Sequence, residues 1–398
     1  MQLLLQCCRY SLENNRKDLT EFLAGNTIDW PDFIALVTKH RLSPQIHFAL
    51  KNFQTEVPGV VLEELSTLAS RSLKRMMNLA GELDVLHELF STHNIQFISL
   101  KGPLMIWQLY GDYSCRQTRD IDILIEEMNI DKAILVLSQA GYQLIDQYFC
   151  NHPEKHALYM KRENHVRFRH PHKMVFIELH WAVSKYFTTI HTAALFDSKT
   201  RVTVHGRDFN TFPLDEYFIV LATHGIYHRY ELLLWLYDIG HLMRMPAINL
   251  KELLVSAEKF NCTTAVNVSL ALAVSLFNLT ESGNFPQLNK LSKKEQFIYT
   301  QCVDTITGTS AQKPAGRINR FFSTVTQRVS QHIYLLLMTD DIPSKKRAFL
   351  NTLIKPYVWE DSAKIPQNNL LYLAMTQVKW LKLILSGRMN QRGQIRKK

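Results

Sequence analysis

The segment Arg119-Asp120-Ile121-Asp122-Ile123-Leu124-Ile125 constrains this chain more than any other. Its β-branched residues read as a strand bounded by polar residues. Alternation puts Asp120 and Asp122 on one face, while Ile121, Ile123 and Ile125 face the core. Two carboxylates on one face repel each other unless a cation lies between them. A hard divalent ion meets that need, and Mg²⁺, or Mn²⁺ in its place, takes oxygen ligands together with substrate phosphates. The plain alternative is two solvated acids on an exposed strand, and the apolar neighbours speak against it.

A second strand supplies a third acid. In Val175-Phe176-Ile177-Glu178-Leu179-His180-Trp181, Glu178 and His180 share one face and Ile177 and Leu179 the other. Phosphoryl-type transfer on bound metal calls for such a clamp of carboxylates, although an edge-strand acid facing water would look the same. Upstream, Ile95–Leu100 reads as a short buried strand ending in Lys101-Gly102-Pro103. A helix follows over residues 103–110. Glycine there lets backbone approach a phosphate, the helix start offers N–H groups, and Lys101 brings a point charge. Pro103 has no N–H to give. The grip on a phosphate chain then falls to Lys101 and to Arg116 and Arg119, which flank the acids and suit bidentate contacts. A surface ion pair explains Arg119 equally well.

The rest of the chain is mostly helical. Residues 1–94 form an N-terminal helical region, with helices around Trp30–Val37 and from Ser43-Pro44, then one long helix or a kinked pair over 60–93. Residues 95–212 form a small mixed α/β core, with a helix over Asn129–Ala140 stopped by Gly141. Strand-like runs follow at Tyr142–Ile145, His156–Lys161, Val166–His170 and Met174–His180. Residues 213–306 form a helical domain led by Leu214–Met243. A turn-rich linker over 307–316 leads to a C-terminal helical region, 317–398, with a basic tail of Arg388, Arg392, Arg396, Lys397 and Lys398. The fold class is α+β, a small mixed sheet flanked by helical regions on both sides. In Leu214–Met243, read as continuous helix, His224, His228, Glu231, Trp235 and Asp238 make one stripe. That stripe lines a cleft or forms a structural network. A zinc site from His224 and His228 lacks a third ligand. The His-rich stretch 152–172 reads as a solvated positive rim.

Composition excludes several classes. The 398 residues carry a formal net charge of +10, which favours phosphorylated partners without marking a nucleic-acid motif. Six cysteines, none in a C-x-x-C pair, read as reduced thiols in a cytoplasmic protein. No signal peptide and no membrane-spanning run is legible.

Taken together, Leu100-Lys101-Gly102, Tyr110-Gly111-Asp112, Arg116, Asp120–Ile125 and Glu178-Leu179-His180-Trp181, followed by His224-Gly225, His228, Leu234-Trp235-Leu236 and Asp238, resemble the uncharacterised nucleotidyltransferase family of the DNA polymerase β-like superfamily. The resemblance covers about residues 30–260. It departs from the superfamily at Gly102-Pro103 and in the 17 residues between Gly102 and Asp120. It implies an enzyme that moves a nucleoside monophosphate from a nucleoside triphosphate, ATP foremost, to an unidentified acceptor with release of pyrophosphate. Asp120, Asp122 and Glu178 would be catalytic and hold the metal. Lys101, Gly102, Arg116, Arg119, His180, His224, His228 and Asp238 would contact the nucleotide. The alternatives are a non-catalytic nucleotide- or partner-binding module on the same fold and a tRNA-modifying nucleotidyltransferase toxin.

Overall fold

The computed structural model describes residues 1–14, 16–146, 156–279, 290–309 and 329–354. Cys150, His152, Lys155, most of the 307–316 linker and the basic tail lie outside them.

Strands β1 (Ile98–Lys101), β2 (Ile121–Leu124), β3 (Gln143–Leu144), β4 (His165–Arg169) and β5 (Phe176–His180) form one sheet in the order β1-β2-β5-β4-β3. Only β2 and β5 run parallel; the other pairs are antiparallel. The fold is α+β. β2 lies between β1 and β5 and is buried along its whole length. That is why its apolar residues are β-branched or leucine, and why Asp122 is only 2% exposed.

Five helices precede the sheet: α1 (Gln2–Glu13), α2 (Arg16–Gly25), α3 (Trp30–His40), α4 (Ser43–Leu50) and α5 (Gly59–Thr92). Asp29 caps α3 by accepting from the Asp32 N–H, and α4 carries Pro in its first turn. α5 is a single 34-residue helix. Within the core, α6 (Pro103–Tyr110) follows β1 and α7 (Ile130–Gln139) follows β2. Buried side chains of the N-terminal helices, the sheet and the later helices join one continuous apolar cluster. No helix among the described residues is long and apolar enough to cross a membrane.

Two expectations need correction. His156–Lys161 is not a strand: His156–Arg162 is a helix, α8. Its apolar residues, Ala157-Leu158-Tyr159-Met160, run four in a row rather than alternating, and Ala, Leu and Met favour helix. Tyr159 anchors it, buried beside Trp181 with ring centroids 6.1 Å apart. A further hairpin, β6 (Thr200–Val204) with β7 (Arg207–Thr211), follows α9 (Thr192–Ser198). Its two-residue turn, His205-Gly206, has φ of 50° and 78°, the left-handed pair a tight hairpin requires.

The second correction concerns Leu214–Met243, which is two helices, α10 (Leu214–Tyr227) and α11 (Leu233–Arg244). Arg229 and Tyr230 have φ of 52° and 49°, so the chain reverses between them. Tyr230 folds back over α10, where its ring lies 2.3 Å from the place a Cβ on Gly225 would take. Its hydroxyl donates to Ser269 Oγ at 2.6 Å, deep in the core. Burial of that aromatic ring breaks the helix, so the five polar residues cannot form one helical stripe.

Candidate functional site

Parallel pairing of β2 with β5 puts Asp122 opposite Glu178, and antiparallel pairing puts Lys101 opposite Asp122 on the other side. Asp120 stands just before β2. One oxygen from each of Asp120, Asp122 and Glu178 lies within 4.8 Å of the others. Asp122 Oδ2 receives the Lys101 ammonium at 2.8 Å, while its Oδ1 is buried with no hydrogen-bond partner among the described residues. An unpartnered buried carboxylate oxygen is costly, and two further acids adjoin this carboxylate. Hard oxygen donors in this number suit Mg²⁺ or Mn²⁺.

Gly102 sets this geometry. Its φ and ψ of 108° and −152° fall in a region open almost only to glycine. A Cβ there would meet Asp120 O at 3.3 Å and Ile121 Cα at 3.4 Å. The sequence suggested that glycine admits a phosphate; the close approach observed is to the backbone carrying the aspartates. Gly102→Ala is expected to lower stability by about 1–3 kcal/mol, measured by urea denaturation, and to weaken metal binding, since the Lys101–Asp122 register shifts.

Around the acids, Thr118 donates to Asp120 Oδ1 at 3.2 Å. Tyr217, buried on α10, donates to Leu100 O at 2.8 Å and fixes the end of β1. His224, also on α10, offers Nδ1 to the Lys101 ammonium at 3.4 Å. Despite the break in the helix, His224, His228 and Trp235 still cluster, with ring centroids 4.7–5.1 Å apart. Asp238 goes elsewhere. It takes Arg116 Nε at 2.8 Å and a terminal nitrogen at 2.7 Å, and the Tyr110 hydroxyl at 2.7 Å. The remaining Arg116 nitrogen donates to Gln117 O at 3.2 Å. The Arg116 fork is thus committed inside the protein, and both partners are buried. Arg119 is exposed beside the acids.

Electrostatics follow from this packing. Burial opposes the charge on Lys101, but Asp122, Glu178 and Asp120 outweigh it and raise its pKa. His224 is held well below the usual histidine range by burial and by Lys101, so it presents a lone pair to the ammonium. Burial and the charges of Asp122 and Glu178 raise Asp120 to about 6. Burial also works against ionised Glu178, yet the approach of His180, and the charge that His165 and His180 carry when protonated, hold it below the usual carboxylate range. Glu178 is therefore ionised at neutral pH, and Asp120 is the acid that titrates. Mn²⁺ affinity is expected to fall about tenfold from pH 7 to pH 5, as Asp120 takes up a proton below about 6. Mn²⁺ paramagnetic resonance titrations at the two pH values measure this.

Three neighbours escaped the sequence reading. Arg41, in a left-handed turn after α3, lies in the field of Arg119 and Asp120. His165 on β4 pairs in register with His180, with rings 4.8 Å apart. Asn164 reaches both histidines. The alternation of His165 with Arg167 and Arg169 was the available signal, and it was read as a solvated rim.

Comparison with curated proteins and with solved structures finds no match. Residues 26–278 match the family described as uncharacterised nucleotidyltransferase. That span holds the acidic cluster, Lys101-Gly102, the Arg116–Asp238 pair, His224 and His228. It covers more than half of the chain, which belongs to the uncharacterised nucleotidyltransferase family.

Proposed function

We propose that the chain moves a nucleoside monophosphate from a nucleoside triphosphate, with ATP as the leading donor, to an acceptor hydroxyl, amine or phosphate, releasing pyrophosphate. The convergence of Asp120, Asp122 and Glu178 carries this reading. Mg²⁺ or Mn²⁺ held by these acids would supply charge stabilisation to the reacting phosphate and its attacking and leaving oxygens. The chain's own groups divide the remaining work. Asp122 offers its unpartnered Oδ1 to the ion and keeps Oδ2 on Lys101. Glu178 is held in its ionised form, below the usual carboxylate range. Its part is that of a ligand. Lys101, held by Asp122 and backed by His224, has a third ammonium N–H to give a phosphate oxygen. Arg119 is the exposed cation beside the acids and is assigned to the outer phosphates. Arg116 and Asp238 brace the loop that delivers Asp120 and do not reach the nucleotide. His180 and His228 stand behind Glu178 and His224, as positioning groups.

Incubation with each α-labelled nucleoside triphosphate, Mn²⁺ or Mg²⁺ and cell extract, with pyrophosphate release measured in parallel, tests the reading. Label on one macromolecule or metabolite with matching pyrophosphate supports it. Nucleotide binding without pyrophosphate release across a broad acceptor panel favours the non-catalytic module instead.

A further inference from the structure

Beside the oxygen cluster lies a second group of ligating atoms. His165 on β4 and His180 at the end of β5 each bring a ring nitrogen within 4.8 Å of the other and of a Glu178 oxygen. His165 Nε2 stands 4.0 Å from Glu178 Oε1, and His180 Nε2 stands 3.3 Å from Oε2. His180 is 4% exposed, and its Nε2 has no hydrogen-bond partner of acceptable geometry among the described residues. Asn164 shapes the pair from behind. Its side-chain nitrogen donates to Ala182 O at 3.3 Å, which fixes the amide so that Oδ1 accepts from His165 Nδ1 at 3.2 Å. His165 then carries its proton on Nδ1 and presents a bare Nε2 to a carboxylate oxygen. Two lone pairs facing each other attract a cation.

We infer that His165, His180 and Glu178 form a second cation site, for a borderline transition ion of the zinc class, sharing Glu178 with the oxygen site. Two imidazole nitrogens and one carboxylate, with a side left open, are the donors such ions take. Bonds of about 2.0–2.2 Å put tetrahedral ligand atoms about 3.4 Å apart, so the three atoms, now within 4.8 Å of one another, draw together on binding. The hydrogen bond from His165 to Asn164 is the outer support that ligating histidines use. Ligation by His180 puts that ring's proton on Nδ1 and gives up the 3.4 Å approach from Asn164 and the 3.3 Å approach of its Nε2–H to Glu178 Oε2.

Co²⁺ is the probe, because its visible absorption reports ligand type. Wild-type protein is expected to bind it with an imidazole-type spectrum and to lose at least tenfold in affinity in His165→Gln. Asp120→Asn is expected to keep the Co²⁺ spectrum, and His165→Gln to keep Mn²⁺ binding within about threefold, which also shows that the variant is folded. Co²⁺ binding untouched by His165→Gln, absent from the wild type, or lost with Asp120→Asn overturns the site. Loss of Mn²⁺ binding in Asp120→Asn with Co²⁺ retained separates the oxygen site from this one.

Discussion

Asp120→Asn is expected to reduce nucleotidyl transfer by at least about a thousandfold, a loss of roughly 4 kcal/mol of transition-state stabilisation. An amide keeps the shape of the side chain and removes the negative charge from one corner of the acid cluster. The same substitution is expected to stabilise the metal-free protein near pH 8, by about 3 kcal/mol. The sign follows from the folded-state pKa of about 6. A carboxyl raised above its unfolded value is destabilising when ionised. That penalty is absent at pH 3–4, grows between about 4 and 6, and is complete above 6. The asparagine does not carry it, so the difference in melting temperature between variant and wild type should vanish toward pH 4. Mg²⁺ is expected to raise the melting temperature of the wild type and leave that of the variant nearly unchanged. An inactive variant that is more stable without metal, and blind to it, separates loss of a ligand from loss of the fold. Full transfer activity in Asp120→Asn would remove the oxygen cluster from the reaction.

Local chemistry decided what was legible in the sequence. The alternation of Asp120-Ile121-Asp122 with isoleucine, and of Glu178 with His180, reported strand period and burial directly, so the acids of two strands were identified before any topology was known. Lys101-Gly102 was visible as a strand end, but the purpose of Gly102 was not: its φ of 108° serves close contact with the β2 backbone, a long-range fact. The α10–α11 break was hidden for the same reason. Nothing between Tyr227 and Leu233 is a proline, and the only nearby glycine sits a turn earlier, where it makes room for Tyr230. Helical periodicity therefore ran straight through a reversal imposed by tertiary burial of one aromatic ring. His165 was missed because its partner His180 is 15 residues away and adjacency depends on strand register. Pairing across a sheet carries no local signature.

Arg116 and Asp238 lie 122 residues apart and meet in the interior, and the largest stability effect is expected there. Asp238 is 0% exposed and Arg116 3%. Burial works against the arginine's charge, and Asp238 restores it by charge and hydrogen bonds. Asp238→Ala leaves a guanidinium without its counter-charge and the Tyr110 hydroxyl without its acceptor. Stranding one member of a buried pair costs about 3–5 kcal/mol, so urea denaturation should show a loss of that order. Tyr110→Phe, which removes one donor and leaves the pair intact, is expected to cost about 1 kcal/mol. Replacing both charges, as Arg116→Met with Asp238→Leu, should recover most of the loss, because a matched apolar pair has no desolvation to repay. That double variant also decides what Arg116 is for. If the arginine only braces the loop leading to Asp120, recovered stability brings back the KM for nucleoside triphosphate. If it also grips phosphate, stability returns while KM stays raised. The geometry favours the first outcome, since every guanidinium nitrogen already has an acceptor within the protein.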